Sequence, residues 1–295
     1  MFSEIQARLI RLNEKQHDPF TNEVIAQLRR QHYHGCFPAQ LIHRWSEQYC
    51  LSDIDIALHC LAMAACYAVI PVSNFSVGAI AIGESGNFYF GANQEFTSTA
   101  IQQTVHAEQS AIMHAWMSGE TAVRDVVVNY TPCGHCRQFM NELNRAENLR
   151  IHLPHSRHNA LQDYLPDSFG PKDLNISKRL FDIQQQPFSP FGDSLTQAAI
   201  VAASLSYAPY SQAFSGVALQ VGSQIITGRY AENAAFNPSF LPLQSALNIH
   251  RFSTLRDQKI IRIVMAEKQA VLSHRAISES LAENLGLTLE YVPID

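Results

Sequence analysis

The sequence contains no uninterrupted apolar run of the roughly 18 residues that a spanning helix needs, so no membrane partner is expected. Its opening, M-F-S-E-I-Q-A-R-L-I-R, lacks a basic segment followed by a long apolar one. No signal peptide is therefore expected, and the expected location is cytoplasmic. Positive charge is in short supply: 21 basic against 26 acidic residues leave a net charge of -5. A polyphosphate partner calls for a basic surface, so no nucleic-acid partner is expected. Cysteine is sparse too, with only Cys36, Cys50, Cys60, Cys66, Cys133 and Cys136 in 295 residues and none beyond position 136. That excludes a disulfide-built scaffold. The one C-x-x-C, at Cys133 and Cys136, suits a metal in a reducing compartment.

What is present is an ordinary globular composition, 46% hydrophobic, long enough for about two domains of roughly 150 residues. Residues 1–48 carry apolar positions at helical spacing (Ile5, Leu9, Ile10, Leu12; Val24, Ile25, Leu28) and read as an accessory helical region. Its His32-Tyr33-His34-Gly35-Cys36 run has no acidic or cysteine partner at ligand spacing and reads as loop. Ser52 or Asp53 caps a buried helix over 55–69, ended by Pro71. Strands are expected at 77–82 and 87–91 as a hairpin, then a helix over 104–117, a strand over 123–130, a helix over 134–147 and a strand over 149–153. This order predicts an α/β fold, a mixed sheet flanked by helices in three layers. Residues 154–192, with Pro154, Pro166, Pro171, Pro187 and Pro190, read as a connector.

From Asp193 the pattern restarts. Thr196–Tyr207 repeats the alanine-rich helix, with Tyr207 matched to Tyr67 and Phe214-Ser215 matched to Phe75-Ser76. G-R-Y-A-E-N-A-A-F at 228–236 matches G-A-N-Q-E-F at 91–96, and Gln244-Ser245-Ala246 matches Gln109-Ser110-Ala111. Leu241-Pro242-Leu243 then stands where the first half has His106-Ala107-Glu108, and Tyr230 stands for Asn93. The expected division is a helical region (1–48), a catalytic domain (49–153), the connector (154–192) and a degenerate second copy (193–295) without a metal site.

V-H-A-E-Q-S-A at 105–111 and T-P-C-G-H-C-R at 131–137 carry the chemistry. His106, Cys133 and Cys136 have the types and spacing of three zinc ligands. Three ligands leave a tetrahedral Zn2+ one open position, where a water becomes acidic enough to act as a nucleophile near neutral pH. The 26 residues between His106 and Cys133 leave room for the rest of a helix, a strand and a turn. Both ligand groups then fall at helix starts, where partial positive charge favours thiolate. Glu108, two residues from the first ligand, is free to shuttle protons. It would take a proton from the water, deliver it to the ring nitrogen beside the reacting carbon and carry a second to departing ammonia. H-x-E followed by P-C-x-x-C is the mark of zinc-dependent nucleobase deaminases.

The chain resembles the two-domain, homodimeric bacterial cytidine deaminases over nearly its whole length. The resemblance is carried by N-F-S-V-G-A at 74–79, Y-F-G-A-N-Q-E-F at 89–96, Q-Q-T-V-H-A-E-Q-S-A-I at 102–112, T-P-C-G-H-C-R-Q-F at 131–139 and F-G-P-K-D-L at 169–174. It implies hydrolytic deamination of cytidine and deoxycytidine in pyrimidine salvage, with one zinc per subunit. It implies ribose contacts from Asn93 and Glu95, packing of Phe75 on the pyrimidine, and contacts to the base edge from the Ala107 amide and Thr131. A carboxylate facing the sugar would repel a 5′-phosphate and so select nucleosides. The resemblance further implies a homodimer in which Phe169 of the connector and the Ala234-Ala235 region reach the neighbouring subunit's site. Two other readings use the same residues: a deaminase of tRNA or single-stranded polynucleotide, which would want a basic groove, and an inactive zinc-stabilised scaffold.

Overall fold

Helix formation at the centre of the first half follows from one cap. In this computed structural model, which describes residues 4–16 and 18–295, Ser52 and Asp55 exchange bonds: the Asp55 amide donates to Ser52 Oγ at 3.2 Å and Ser52 Oγ donates to Asp55 Oδ2 at 2.6 Å. The N-terminal layer comprises α1 (Glu4–Gln16), α2 (Pro19–Arg30), β1 (Cys36–Phe37) and α3 (Ala39–Tyr49). Positions 1–3 and 17 of the expected helical region lie outside the described residues. The capped helix, α4 (Asp53–Ala65), buries Ile56, Ala57, Cys60, Leu61, Met63 and Ala64 beneath that layer. It stops four residues short of the expected end at 69. The chain turns away there because Val69 bridges to Gln94, while Arg8 and Arg251 donate to the carbonyls of Ala68 and Tyr67 at 2.6 and 2.8 Å.

The rest of the first half is β2 (Gly78–Gly83), β3 (Phe88–Ala92), α5 (Ala107–Met117), β4 (Val123–Val128), α6 (Gly134–Met140), β5 (Arg150–Leu153), β6 (Ser156–Ala160) and α7 (Leu161–Tyr164). One mixed sheet runs β1-β3-β2-β4-β5-β6, with β4 and β5 parallel and the other pairs antiparallel. β1 and β6 are additions that the hydrophobic pattern did not show, and β6 lies within the expected connector. α6 ends at Met140 rather than 147. Beyond it Glu142 is fully buried, accepting hydrogen bonds from the Tyr207 and Tyr210 hydroxyls at 2.6 and 2.5 Å and from the Ala234 amide at 3.0 Å. Those bonds pull the chain out of helix and under the second half.

α4 and α5 pack close to the β2–β3 hairpin because glycine stands at both approaches. A Cβ at Gly78 would meet Leu61 O at 2.3 Å, and one at Gly91 would meet the Ala111 amide at 2.2 Å. We expect Gly91→Ala to destabilise the protein by about 1–3 kcal/mol through overpacking. Thermal unfolding checks this, and an unchanged midpoint would count against so tight an approach.

The second half contains α8 (Ser194–Ser204), β7 (Ser215–Val221), β8 (Gln224–Arg229), α9 (Pro242–Phe252), β9 (Ile260–Lys268), α10 (Arg275–Asn284) and β10 (Leu289–Ile294). Its sheet runs β10-β9-β7-β8, with only β9 and β10 parallel. That is the order and polarity of β5-β4-β2-β3, so the duplication is architectural. Gly216 and Gly228 repeat the close approaches, against the amides of Ala203 and Ala246 at 2.3 and 2.0 Å.

The structure shifts part of the expected register between the copies. Val69–Gln94–Val105 bridging recurs as Tyr207–Ala231–Phe240, so Tyr207 corresponds to Val69, not Tyr67. Glu95 accepts from the Val72 and Ser73 amides, as Glu232 does from Tyr210 and Ser211. Ser73 therefore matches Ser211, and Phe75 matches Ala213 rather than Phe214. The aromatic-serine pair misled because both segments contain it, one residue out of step. Tyr230 does stand at the Asn93 position: its amide donates to Ser215 O as that of Asn93 does to Val77 O.

α5 and α9 lie against one another between the halves. Gln94 Nε2 and Ser110 Oγ both donate to Asn248 Oδ1, at 2.7 and 2.5 Å, and Asn248 Nδ2 returns a bond to Ser110 O at 2.9 Å. Gln109 reaches Pro238 O at 2.7 Å, while its counterpart Gln244 reaches Gln102 O at 2.9 Å. Each of these buried amide side chains thus finds a partner across the seam between the halves. Among the described residues, no helix is long and apolar enough to cross a membrane.

Candidate active site

The candidate metal ligands were expected at the starts of two helices, and the structure places them there. His106 is the N-cap of α5 and Cys133 the N-cap of α6, with Cys136 inside the first turn. Neither cap uses its side chain to bond the helix, which leaves the imidazole and the thiol free to turn toward each other. Arg137 fixes the intervening loop by donating to Pro132 O at 2.7 Å and Tyr164 O at 2.9 Å.

The donor atoms of His106, Cys133 and Cys136 lie within 4.8 Å of one another. Cys133 Sγ is 3.4 Å from His106 Nδ1 and 3.7 Å from Cys136 Sγ. Tetrahedral zinc with bonds of about 2.3 Å to sulfur and about 2.0–2.1 Å to nitrogen requires separations of about 3.5 Å and about 3.8 Å. The trio fits that ion. Bonds from Cys136, and then from His106, hold the Cys133 thiol down at about 3, whereas the Cys136 thiol is pushed well up by its bond to Cys133 and by burial. The imidazole of His135 stacks on that of His106, centroids 4.9 Å apart.

Glu108 is buried in the first turn of α5, beside the Cys136 thiol. Burial raises its pKa, opposed by its own backbone amide and by His106. A carboxyl group raised in this way and lying outside the donor trio can both release and receive a proton.

A cavity of about 270 Å³ opens beside these groups. Phe75, Asn93, Glu95, His106, Ala107 and Glu108 line it, so six of the expected site residues share one pocket. The Gln94–Val105 bridge joins the two walls, with both amide bonds at 2.9 Å, and sets Asn93 and Glu95 beside His106. Asn93 accepts from the Val77 amide at 2.9 Å and donates to Phe75 O at 2.9 Å, leaving one N–H. Glu95 accepts from the Val72 and Ser73 amides and from Ser73 Oγ. Burial would raise the Glu95 pKa, but these donors outweigh it and hold the carboxyl below its usual range.

Thr131 and Phe169 are exposed and lie outside the lining of this pocket. Phe169 stands against α6, its carbonyl accepting from Gln138 and Asn141 at 3.0 Å each. The sequence reading also missed residues. Tyr130 stacks obliquely on Phe75, centroids 4.7 Å apart, each ring 48% exposed, and Ser73 pins Glu95. Tyr130 was hidden at the end of a β-prone run. Ser73 could have been found from its turn spacing, since its Oγ accepts from the Phe75 amide two residues on.

Models of the cytidine and deoxycytidylate deaminase zinc-binding region match residues 52–151 and, separately, 161–279. With the donor trio, the duplicated sheets and those two matches, the chain falls in the class of zinc-dependent hydrolytic deaminases. The cytidine deaminase of Actinobacillus pleuropneumoniae serotype 5b is 62% identical over 291 residues, covering 98% of each chain. That of Haemophilus ducreyi is 61% identical over 293 residues, covering 99% of this chain and 98% of its own. The chain belongs to the cytidine deaminase family, in its bacterial two-domain form.

Proposed function

We propose that the chain converts cytidine and 2′-deoxycytidine to uridine and 2′-deoxyuridine with release of ammonia, in cytoplasmic pyrimidine salvage. The observation that carries the reading is the tetrahedrally spaced trio beside buried Glu108, on the wall of a pocket that also holds Asn93 and Glu95. In this reading His106, Cys133 and Cys136 hold one zinc per subunit. Zinc, when bound, supplies a Lewis acid that makes water nucleophilic near neutral pH. Glu108 carries one proton to the ring nitrogen beside the reacting carbon and a second to the departing amine. The Ala107 amide and Thr131 hold the base edge, and Phe75 packs on the ring. The chain divides functionally into 1–48, a catalytic 49–153, a connector 154–192 and a non-catalytic 193–295. In a homodimer, Phe169 and the Ala234-Ala235 region complete the neighbouring subunit's site. Mixing pure protein with cytidine tests the activity through the ultraviolet difference between cytidine and uridine; no change ends the proposal. An oligonucleotide offered in parallel should be left unaltered.

Asn93 and Glu95 form the ribose clamp in this reading. Asn93 offers its remaining N–H, and the Glu95 oxygen facing Ser73 Oγ keeps a lone pair for a sugar hydroxyl. Glu232 clamps its own loop in the half without the metal set, so a glutamate here also serves the loop. Asn93, which is Tyr230 in that half, is the more discriminating member. We expect Glu95→Gln to raise KM for cytidine by about tenfold or more, since an amide N–H2 replaces an acceptor facing N–H donors. Steady-state kinetics decide it, and an unchanged KM would remove Glu95 from the clamp.

A further inference from the structure

Arg8, Arg11, Leu12 and Lys15 recur at the spacing of one helical stripe, so three cations share a face of α1. The adjoining stripe, Ile5 and Leu9, is buried in the core. Arg11 and Lys15 are exposed, and Arg8 is half-buried. The basic stripe forms one wall of a groove of about 260 Å³, whose other wall is Ala62, Ala65 and Cys66 of α4 together with Ser76. The small alanines make the recess, and no Asp or Glu lines it. Arg8 is fixed there by Ala68 O at 2.6 Å and by Glu4 at 2.5 Å. Among the described residues, none of the ion pairs engages Arg11 or Lys15. Burial pushes the Cys66 thiol up to about 11, while the fields of Arg8 and Arg11 pull the other way, which places both cations close to that wall.

We propose that this groove is an anion site that takes the phosphate groups of a soluble ligand. Arg8 is offset by Glu4, but Arg11 and Lys15 add two cations with no ion pair among the described residues, so in a chain of net charge -5 the hollow is locally positive against the field of the whole molecule. Arginine and lysine supply the charge-assisted donors that phosphate oxygens accept, and the Ser76 hydroxyl adds a neutral one. The hollow of about 260 Å³ has room for a phosphate group, and its α4 side is small residues rather than further cations. Ser76 lies between Phe75 and Val77, which Asn93 holds through Phe75 O and the Val77 amide. An occupant that engages Ser76 therefore acts on the segment that shapes the nucleoside pocket. This coupling rests on the reading of Asn93 as part of the clamp; the anion site itself does not.

Isothermal titration of the zinc-loaded protein with inorganic diphosphate at low ionic strength tests the site. The wild type should bind one diphosphate in the groove per chain, and Arg11→Gln/Lys15→Gln should weaken that binding by at least about tenfold. Cytidine turnover without diphosphate should be the same in both. Equal binding by the two proteins would assign the anion to the zinc or another locus and overturn the proposal, as would absence of binding by the wild type. The single variant Lys15→Gln, expected to fall between them, serves as a second measure should the double variant fold poorly. Sedimentation with phosphatidylcholine vesicles containing phosphatidylglycerol, without diphosphate binding, would make the stripe a membrane contact and also overturn it. A diphosphate-dependent change in KM for cytidine, present in the wild type and lost in the double variant, supports the coupling through Ser76. Binding with no change in KM overturns that coupling and leaves the anion site standing.

Discussion

Glu108→Gln should lower kcat for cytidine by about 10²- to 10⁴-fold while the protein keeps its zinc. Glutamine fills the same buried space at the start of α5, so the helix and pocket should persist. What it lacks is a group able to give up and regain a proton. Glu108 is also outside the His106, Cys133 and Cys136 trio, so metal content should stay near one ion per chain. Atomic absorption measured beside kcat separates the two functions. A variant that turns over normally would take the proton transfers away from Glu108. One that loses both zinc and activity would show that the carboxyl group helps hold the ion.

Cys133→Ala carries the second large effect. Its thiol is the atom closest to both other donors, at 3.4 Å from His106 Nδ1 and 3.7 Å from Cys136 Sγ. Cys133 is also exposed, whereas Cys136 is buried in the core, so removing the Cys133 sulfur deletes a ligand without opening a cavity. Zinc content should fall toward zero. Activity should fall by about 10³-fold or more, because several kcal/mol of charge stabilisation leave with the ion. The unfolding midpoint should drop to that of chelator-treated wild type, since metal binding to a folded site is also stability. Stoichiometric zinc in the variant would mean that the ion sits elsewhere.

Much of this was legible in the sequence because it depends on local pattern. The trio and Glu108 announce themselves by residue type and spacing. The order of helices and strands follows from hydrophobic period and from breakers such as Pro71 and Pro132. What was not legible depends on partners distant in the chain. α6 stops at Met140 because Glu142 is claimed by Tyr207, Tyr210 and Ala234, up to 92 residues away. α4 stops at Ala65 because Gln94 draws Val69 into a bridge. β1 is only two residues long and β6 is mostly polar, and only pairing makes them strands. The offset between Phe75 and Phe214 has the same origin. Composition suggested one register, and the carboxylates of Glu95 and Glu232, gripping amides at fixed distances, impose another.

The α5–α9 contact joins two halves of a single polypeptide. Were the halves separate chains, the fraction bearing this contact would fall as the protein was diluted. With both halves on one backbone, their effective concentration is set by the tether rather than by the cell. The first half therefore keeps its neighbour at any expression level, and along this seam the enzyme has no assembly step to lose.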